Sequence, residues 1–424
     1  MSFPRYPIYK DSGVEWLGEV PGHWEVVQFK QFVDIQNGSD HKHVEQDEGY
    51  PVFGSGGVFT HASDYLYDGE SVLLGRKGTI DKPLHVTGRF WTVDTMYWTK
   101  INPTTSGRFI FYSALTIPFD YYSTNTALPS MTKAALNSHQ VTRPPLIEQT
   151  QIAAFLDRET AKIDGLVAEQ RRLMALLKEK RQAVISHAVT QGLNPHAPMK
   201  PSGVEWLGVV PAHWEVKKVK HLVASFEQGW SPQCEGFPVE TEEEWGVLKV
   251  GCVNGGKFKP EENKTLPLDL EPIPNLSIAA GDLLVSRANT RELVGSAAVA
   301  ERDFSNLLLC DKLYRIRFTH GVCSSELVAL YLGTAMARGQ IELTATGASS
   351  SMVNIGQSTI LELALAVPEL QEQQLVVEYV NQKTGQLDTL ITESQHAITL
   401  LQERRTALIS AAVTGQIDVR AAGD

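Results

Sequence analysis

The sequence predicts an α+β protein in which two mixed, strand-rich globular domains are joined by two long α-helices that pair as an antiparallel coiled coil. Three observations support this fold class. A segment near the N-terminus recurs in the middle of the chain, a long helical segment recurs after it, and the stretches between them differ. Such self-similarity indicates an internal duplication, and two copies of one unit give the molecule pseudo-two-fold character.

The first repeated segment opens each copy. Residues 12–30 read SGVEWLGEVPGHWEVVQFK and residues 202–220 read SGVEWLGVVPAHWEVKKVK, at a constant offset of 190 residues. Both copies keep two tryptophans, a proline and a histidine. We therefore expect two related globular domains, at 1–145 and 202–368, that begin in the same way.

The interior of each domain is predicted to be rich in strands. Runs of β-branched and aromatic residues at 71–74 and 91–98 indicate strands in the first domain. Runs at 247–253, 282–286 and 313–318 do so in the second. Glycine-rich turns interrupt the runs in both domains, as expected between short strands.

Each copy ends in a long amphipathic helix, predicted at 146–191 and 369–415, with an offset of 224 residues between the copies. Apolar residues recur at spacings of three, four and seven, which is typical of a helix with coiled-coil character. The predicted stripes are Ile152, Leu156, Ile163, Leu166, Leu173, Leu177, Val184 and Ala188 in the first helix, and Val376, Val380, Leu387, Leu390, Ala397, Leu401, Leu408 and Ala412 in the second. Residues 192–201 form a predicted linker, and residues 416–424 a C-terminal tail.

The composition indicates a folded protein without a bulk basic character. Hydrophobic residues make up 42% of the chain and charged residues 21%, and the formal net charge is −11. None of the blocks 1–146, 147–193, 194–367 and 368–424 is strongly basic. An autonomous DNA-binding protein normally has a strongly basic domain or surface patch. If this chain binds DNA, local basic loops or a partner must supply the attraction.

The cysteines and the termini favour a cytoplasmic location. Cys234, Cys252, Cys310 and Cys323 form no CxxC pair, which argues against a disulfide framework or a zinc ribbon. The N-terminus has no secretory signal pattern, and no stretch approaches the ~20 apolar residues of a membrane helix. We expect no association with a membrane.

No recognisable catalytic motif occurs in the sequence. Residues 251–258 read GCVNGGKF and resemble a phosphate-binding loop, but Phe258 stands where Ser or Thr would hold Mg²⁺. The Asn/Asp-Pro-Pro-aromatic tetrapeptide of amino-methyltransferases is absent. His41 and His43 could contact a metal or a phosphate, but a solvated loop is the simpler interpretation. We expect no catalytic residue, no metal site and no cofactor bound by this chain.

The duplication suits a ligand that is itself roughly two-fold symmetric, and duplex DNA is such a ligand. Several motifs in combination resemble the specificity subunits of type I restriction–modification systems. These are the repeated SGVEWLG-x-VP-x-HWEV segment, GESVLLGRKGTI at 69–80, FWTVDTMYW at 90–98, TALPSMTKAALN at 126–137 and PPLIEQTQI at 144–152, with GDLLVSRANT at 281–290, LCDKLYRI at 309–316, SSSMVNIGQSTI at 349–360 and VPELQEQQ at 367–374 in the second copy.

This resemblance covers the whole chain and implies a non-catalytic role. It implies two target-recognition domains, each of which reads one half of a split, asymmetric double-stranded DNA sequence. It also implies that the helices set the spacer and dock two modification subunits, which use S-adenosylmethionine to methylate adenine. Two restriction subunits that use ATP and Mg²⁺ would complete the complex.

Candidate DNA-binding residues lie in glycine-rich or basic loops. Arginine can pair with guanine, asparagine with adenine, and lysine with a base edge or a phosphate. The candidates are Arg76, Lys77, Ser55 and Gly56 in the first domain, and Lys257, Lys259, Arg287, Asn289 and Arg291 in the second. Asp94 and Asp311 recur at equivalent places, and we interpret them as loop anchors rather than metal ligands.

A repeated basic group near the helix ends is a candidate site for docking the modification subunits. Its members are Lys178, Lys180, Arg181, Arg404 and Arg405. A solvated helix face is the alternative interpretation of this group.

Two other functions remain open at this point. A coiled-coil adaptor that binds only proteins would show no salt-dependent DNA affinity. A methyltransferase fused to its own DNA-reading domain would need the methyl-donor motifs that the sequence lacks.

Overall fold

The computed structural model of the chain describes residues 3–122, 129–349 and 352–420. Residues 126–128 of the motif at 126–137 and residues 350–351 of the motif at 349–360 lie outside the described part of the chain, as do residues 421–424 of the predicted tail. The chain forms two compact units, one of residues 1–172 with 394–424 and the other of residues 173–393. Each unit therefore combines one globular domain with part of both long helices.

The first unit contains a strand-rich domain. Its strands are β1 (Tyr9–Asp11), β2 (Glu19–Pro21), β3 (Glu25–Gln28), β4 (Val33–Asn37), β5 (Glu45–Gln46), β6 (Tyr50–Gly54), β7 (Gly57–Ala62), β8 (Tyr67–Asp68), β9 (Ser71–Gly75), β10 (Leu84–Val86), β11 (Arg89–Thr92), β12 (Met96–Ile101) and β13 (Gln140–Arg143). Its short helices are α1 (Gly107–Ala114), α2 (Phe119–Tyr122) and α3 (Lys133–Ser138). The long helix α4 (Leu146–Gln191) begins in this unit.

The second unit repeats this arrangement. Its strands are β14 (Met199–Pro201), β15 (Val209–Pro211), β16 (Glu215–Lys218), β17 (Val223–Gln228), β18 (Gly246–Leu248), β19 (Asn263–Thr265), β20 (Ser277–Ile278), β21 (Leu283–Ser286), β22 (Ala288–Asn289), β23 (Ala297–Val299), β24 (Phe304–Leu308), β25 (Leu313–Phe318), β26 (Thr346–Ser349), β27 (Met352–Asn354) and β28 (Ala364–Val367). Its helices are α5 (Ser325–Leu332), α6 (Ala335–Thr344), α7 (Gln357–Leu361) and the start of the long helix α8 (Leu370–Val413).

One four-stranded sheet forms the centre of each domain, and the two sheets have matching strand order. The first domain has the order β10-β9-β12-β4, and the second has β23-β21-β25-β17. A further sheet in each domain contains a parallel pair, β6 with β11 and β18 with β24, whose first strand also pairs antiparallel with β7 or β19. The strands β9 and β21 are buried along their whole length. The duplication seen in the sequence is thus a duplication of the fold.

Equivalent glutamines fix the start of each long helix to its own domain. The Gln149 side chain donates to the Pro144 carbonyl at 2.9 Å and accepts from the Ser106 backbone amide at 3.0 Å. Gln373 makes the same two bonds, to the Pro368 carbonyl and the Ser324 amide, at 2.9 and 2.8 Å. Both glutamine side chains are buried. These bonds satisfy polar groups that would otherwise be unpaired where a helix meets a core.

The long helices pack against each other in antiparallel orientation, as predicted. In the first unit, the Thr142 hydroxyl, just before α4, donates to the Val413 carbonyl at the end of α8. Further along α4, Asp164 accepts from Arg405 Nε at 2.9 Å. In the second unit, Arg181 Nε donates to Asp388 Oδ1 at 2.9 Å. In the first unit the residue number therefore rises along α4 as it falls along α8, and the two ion pairs are equivalent under the 224-residue repeat.

The covered stripe of each helix differs from the predicted one. It follows a continuous alternation of three and four residues, Leu156, Thr160, Ile163, Val167, Gln170, Met174, Leu177, Arg181, Val184 and Ala188 in α4, with the equivalent residues 224 positions later in α8. The prediction that Leu166, Leu173 and Leu390 lie in the stripe is wrong, because these side chains are exposed. Polar residues occupy several positions of the covered stripe. A pattern built from apolar residues alone therefore selects neighbouring leucines instead.

Each globular core includes the end of the helix that belongs to the other copy. Ile409, Ala412 and Val413 of α8 lie in the core of the first unit. Ile185, Ala188 and Val189 of α4 lie in the core of the second. Burying these apolar side chains ties the helix ends to the domains. Among the described residues, no helix carries an apolar stretch as long as a bilayer requires.

Candidate nucleic-acid interface

In both domains an arginine directly follows the central buried strand. Arg76 follows β9, and its backbone amide donates to the Thr95 carbonyl at 2.9 Å. Arg287 follows β21, and its amide donates to the Lys312 carbonyl at 2.8 Å. In both domains the ladder of backbone hydrogen bonds thus extends one residue beyond the strand and includes the arginine. The backbone from which the arginine side chain projects is therefore held in place.

The guanidinium of each arginine is held by the turn that precedes the next strand of the sheet. Arg76 Nη1 donates to the Asp94 carbonyl at 3.2 Å, and Arg287 Nη1 donates to the Asp311 carbonyl at 3.3 Å. The two aspartates contribute only their main-chain carbonyls to this contact, and a role of their side chains as loop anchors stays a prediction. Both arginine side chains are half-buried, and a guanidinium has further N–H groups beyond the one used here.

A third segment closes the same arrangement in both domains. The Met131 amide donates to the Arg76 carbonyl at 2.9 Å, and the Ile355 amide donates to the Arg287 carbonyl at 3.0 Å. Buried tyrosines support this segment, because Tyr97 donates to the Met131 carbonyl and Tyr314 to the Ile355 carbonyl. We call residues 75–79 and 286–291 the arginine turns.

The tip of a hairpin lies against the arginine turn of the first domain. The tip between β6 and β7 holds Ser55 and Gly56, and a Cβ added at Gly78 would lie 3.7 Å from Ser55 Oγ. Lys77 and Gly56 are exposed. The structure therefore brings together the four candidates of this domain, Arg76, Lys77, Ser55 and Gly56, which come from two separate segments.

The equivalent tip of the second domain is much longer but makes a corresponding contact. It spans residues 249–262 between β18 and β19, and it carries the exposed Lys257 and Lys259. Asn254 of this tip accepts from Asn289 Nδ2 of the arginine turn at 3.3 Å. The two domains thus share the geometry of turn against tip, while the side chains that they present differ.

The structure argues against base reading by Asn289, one of the predicted DNA-binding residues. Asn289 is only 9% exposed, and it belongs to strand β22, which pairs with β27. The amide nitrogen donates within the domain, and the Asn289 oxygen accepts from the Thr290 backbone amide at 2.9 Å. The polar groups are used to join the tip to the turn. Arg291, two residues later, is exposed.

Two glycines that the sequence analysis did not single out make this geometry possible. A Cβ at Gly38 would lie 2.0 Å from the Val93 carbonyl oxygen, and a Cβ at Gly229 would lie 2.0 Å from the Leu309 carbonyl oxygen. Both glycines follow equivalent strands, β4 and β17. Each packs against the main chain just before Asp94 or Asp311, at Val93 or Leu309. Their recurrence after equivalent strands was the signal that could have identified them.

The candidate docking residues on the helices fall into two groups. Lys178, Lys180 and Arg404 are exposed. Arg181 and Arg405 are half-buried and pair with Asp388 and Asp164. For these two arginines the structure shows a role in helix pairing, and a role of the whole group in docking stays a prediction.

The part of the chain that the structure describes contains no group of three or more His, Cys, Asp or Glu residues that could hold a metal ion. The loop that resembles a phosphate-binding loop begins as a 3₁₀ turn at Val250–Val253 and continues through Gly255 and Gly256 into β19. A phosphate-binding loop leads instead into an α-helix. The glycines here shape the long hairpin tip.

Comparisons with known proteins agree with the motifs of the sequence. Residues 21–171 match the family described as the type I restriction modification DNA specificity domain. The EcoEI specificity subunit of Escherichia coli is 29% identical over 223 residues, which cover 52% of this chain and 38% of that protein. The MjaVIII specificity subunit of Methanocaldococcus jannaschii is 22% identical, over 97% of this chain and 98% of that protein.

A solved chain from a study of complex assembly and conformational transition in a type I R-M system has the same fold. It covers 93% of this chain and 98% of its own length, with a TM-score of 0.69 and 15% identity. The alignment with the EcoEI subunit spans less than half of that relative's length. Together these matches confirm the resemblance that the sequence motifs indicated.

Proposed function

We propose, from the kinship of this chain with the specificity subunits of type I restriction–modification systems, that it selects the DNA sequence on which a methyltransferase complex acts. One observation carries the proposal. Both domains hold an arginine turn against a hairpin tip with the same backbone hydrogen bonds, yet turn and tip carry different side chains. A repeated frame with different contact residues suits the reading of two different DNA segments.

In this proposal each domain reads one half of a bipartite, asymmetric site on double-stranded DNA. Arg76 and Lys77 with Ser55 and Gly56 contact one half, and Arg287, Arg291, Lys257 and Lys259 contact the other. The paired helices set the spacer between the halves and dock the modification subunits.

Catalysis in this proposal resides in other chains. Two modification subunits supply S-adenosylmethionine-dependent adenine methylation, and two restriction subunits supply cleavage driven by ATP and Mg²⁺. The acidic character of the present chain fits this division of labour, because the partners would provide much of the positive charge around DNA.

The test is methylome sequencing of cells that express the chain with its cognate modification subunit, compared with cells that express the modification subunit alone. We expect a split adenine-methylation motif that appears only when this chain is present. If the complex forms but no motif appears, the chain is a protein adaptor and the proposed function is wrong.

A further inference from the structure

The similarity between the two copies extends to an exposed loop. Residues 12–18 and 202–208 both read SGVEWLG, and in each loop the first amide donates to the last carbonyl at 2.9 Å. The burial pattern is identical, residue by residue, over 11–20 and 201–210. We call these two segments the tryptophan loops.

Each tryptophan loop exposes a large part of an indole ring. Trp16 is 46% exposed and Trp206 is 36% exposed, whereas Trp24 and Trp214 of the same repeated segment are fully buried. The neighbouring Leu17 and Leu207 are also buried and already anchor the loops to their domains. The outer part of each indole therefore faces solvent although the loop has a buried anchor of its own.

The support beneath the indole differs between the two copies. The Trp16 ring stacks on His139 with ring centroids 5.1 Å apart, whereas the repeat places Leu363 at the position of His139. Packing inside the domain differs, so it does not explain why both positions carry tryptophan. The feature that both copies share is the outward face.

The charge of the loops argues against a nucleic acid as the ligand. The only charged side chain within either loop is an exposed glutamate, Glu15 or Glu205. A phosphate backbone is attracted by basic groups and repelled by carboxylates. An indole beside a carboxylate instead fits a protein segment with an apolar side chain and an arginine or lysine, because a cation binds both the ring face and the carboxylate.

We infer that the two tryptophan loops are equivalent docking points for two copies of one protein partner, through an apolar and basic segment of that partner. A surface that is the same in both copies suits a ligand that is the same on both sides. The inference builds on the proposed function, in which two modification subunits join one chain, and it assigns them a contact outside the helices.

The test uses the full chain and its cognate modification subunit, with native mass spectrometry to count bound copies and titration to measure affinity. We expect two copies on the wild-type chain, and one high-affinity copy on either Trp16→Ala or Trp206→Ala. An interface tryptophan of this kind contributes about 30-fold or more in affinity. The double variant should lose both high-affinity sites.

A second pair of variants separates docking from folding. Glu15→Lys and Glu205→Lys leave the indoles in place and reverse an exposed charge, so each should also weaken one site. Tyr121→Ala and Leu268→Ala are the matched controls, because both side chains are strongly exposed and neither is repeated in the other copy. The controls should bind two copies with wild-type affinity.

Unchanged binding of two copies by the Trp16→Ala, Trp206→Ala double variant would overturn the inference, as would a loss of DNA binding with the subunits still attached. In both cases the methylation motif of the wild-type complex would still support the proposed function. If the wild-type chain binds no modification subunit, the proposed function fails together with the inference.

Discussion

Arg76 and Arg287 are each fixed by a hydrogen bond to an aspartate carbonyl, and this bond limits how the side chain can move. A guanidinium whose position is set before binding loses less conformational entropy on contact with a base. The remaining donors can form the bidentate pair that reads guanine. At this scale the domains differ in what surrounds the arginine rather than in how it is held.

Substitution of Arg287 by alanine should affect only one half of the DNA target. Loss of one bidentate base contact costs ~1–3 kcal/mol of binding free energy and relaxes specificity at the contacted position. The measurement is competition binding of the methyltransferase complex with duplexes altered at each base pair. Arg76→Ala is the matched control and should affect the other half. An equal loss at both halves for Arg287→Ala would contradict the two-module arrangement.

His139 is a buried histidine whose ionisation should control the acid stability of the first domain. Burial lowers the pKa of His139 to about 4 from its usual 6.5, because the charged imidazolium is poorly solvated there. The side chain is 1% exposed, and its Nδ1 faces the Tyr122 hydroxyl at 3.0 Å. His139 is thus neutral in the folded chain at pH values at which it is readily protonated in the unfolded chain.

The stability from this difference is fully present above pH 6.5 and is lost as the pH falls from about 6.5 towards 4. The shift corresponds to about 3 kcal/mol of unfolding free energy. His139→Leu, which introduces the residue of the equivalent position Leu363, should remove this part of the pH dependence. Denaturant unfolding at pH 5 and pH 7.5 measures the effect. The same loss between these pH values in wild type and variant would show that other groups control acid stability.

At the scale of the elements, polar residues within the coiled-coil stripe are the main feature of the helix pairing. Thr160 and Thr384 occupy equivalent heptad positions, and both hydroxyls donate to the carbonyl four residues earlier. Arg181 and Arg405 occupy another equivalent pair of positions and reach aspartates on the facing helix. Polar groups at such positions fix the register of a coiled coil at some cost in stability.

Exchange of the charges of Arg181 and Asp388 in the second unit should therefore restore the stability that reversal of one charge removes. Arg181→Asp places two carboxylates together, whereas Arg181→Asp with Asp388→Arg recreates the pair in reverse. The coupling free energy of a partly exposed ion pair is about 0.2–1 kcal/mol, and it should decrease in high salt. A double-mutant cycle by denaturant unfolding measures it. The equivalent pair Asp164 with Arg405 is the control, and additive effects in both cycles would rule out coupling.

At the scale of the whole molecule, duplication gives one chain two domains of the same fold that can diverge independently. The net charge of −11 makes nonspecific attraction to DNA weak, so in the proposed function recognition depends on local contacts and on partners. Each domain has its own core, and its arginine turn is held entirely by residues of that domain. The arginine turn and hairpin tip of one domain can therefore change without a change in the other.

Replacement of residues 31–143 by the corresponding residues of a relative should change one half of the methylation motif and leave the other half intact. The segments that join this region to the helices keep their repeated sequence, so the exchanged domain retains its attachment. Methylome sequencing of the chimaera reads both halves at once. A change in both halves would show that the two domains do not read independently.

The sequence alone determined the duplication, the long helices and the strand-rich character of the domains. The duplication follows from the repeat at an offset of 190 residues, and the helices follow from the spacing of apolar residues such as Ile152 and Leu156. Local periodicity follows from the backbone geometry of a single element, so it can be read without knowledge of the contacts that the element makes. The arginine turns were also visible, because Arg76 and Arg287 follow apolar runs in both copies.

Only the tertiary structure decided which side chains face one another. The burial of Asn289, the approach of Ser55 to Gly78 and the exposure of Leu166 all depend on segments distant in sequence or on the facing helix. Asparagine at a turn has the same local pattern whether it faces solvent or joins a hairpin tip, and a leucine next to a heptad position resembles one within it. Long-range packing selects between these states, and that packing is absent from any local pattern.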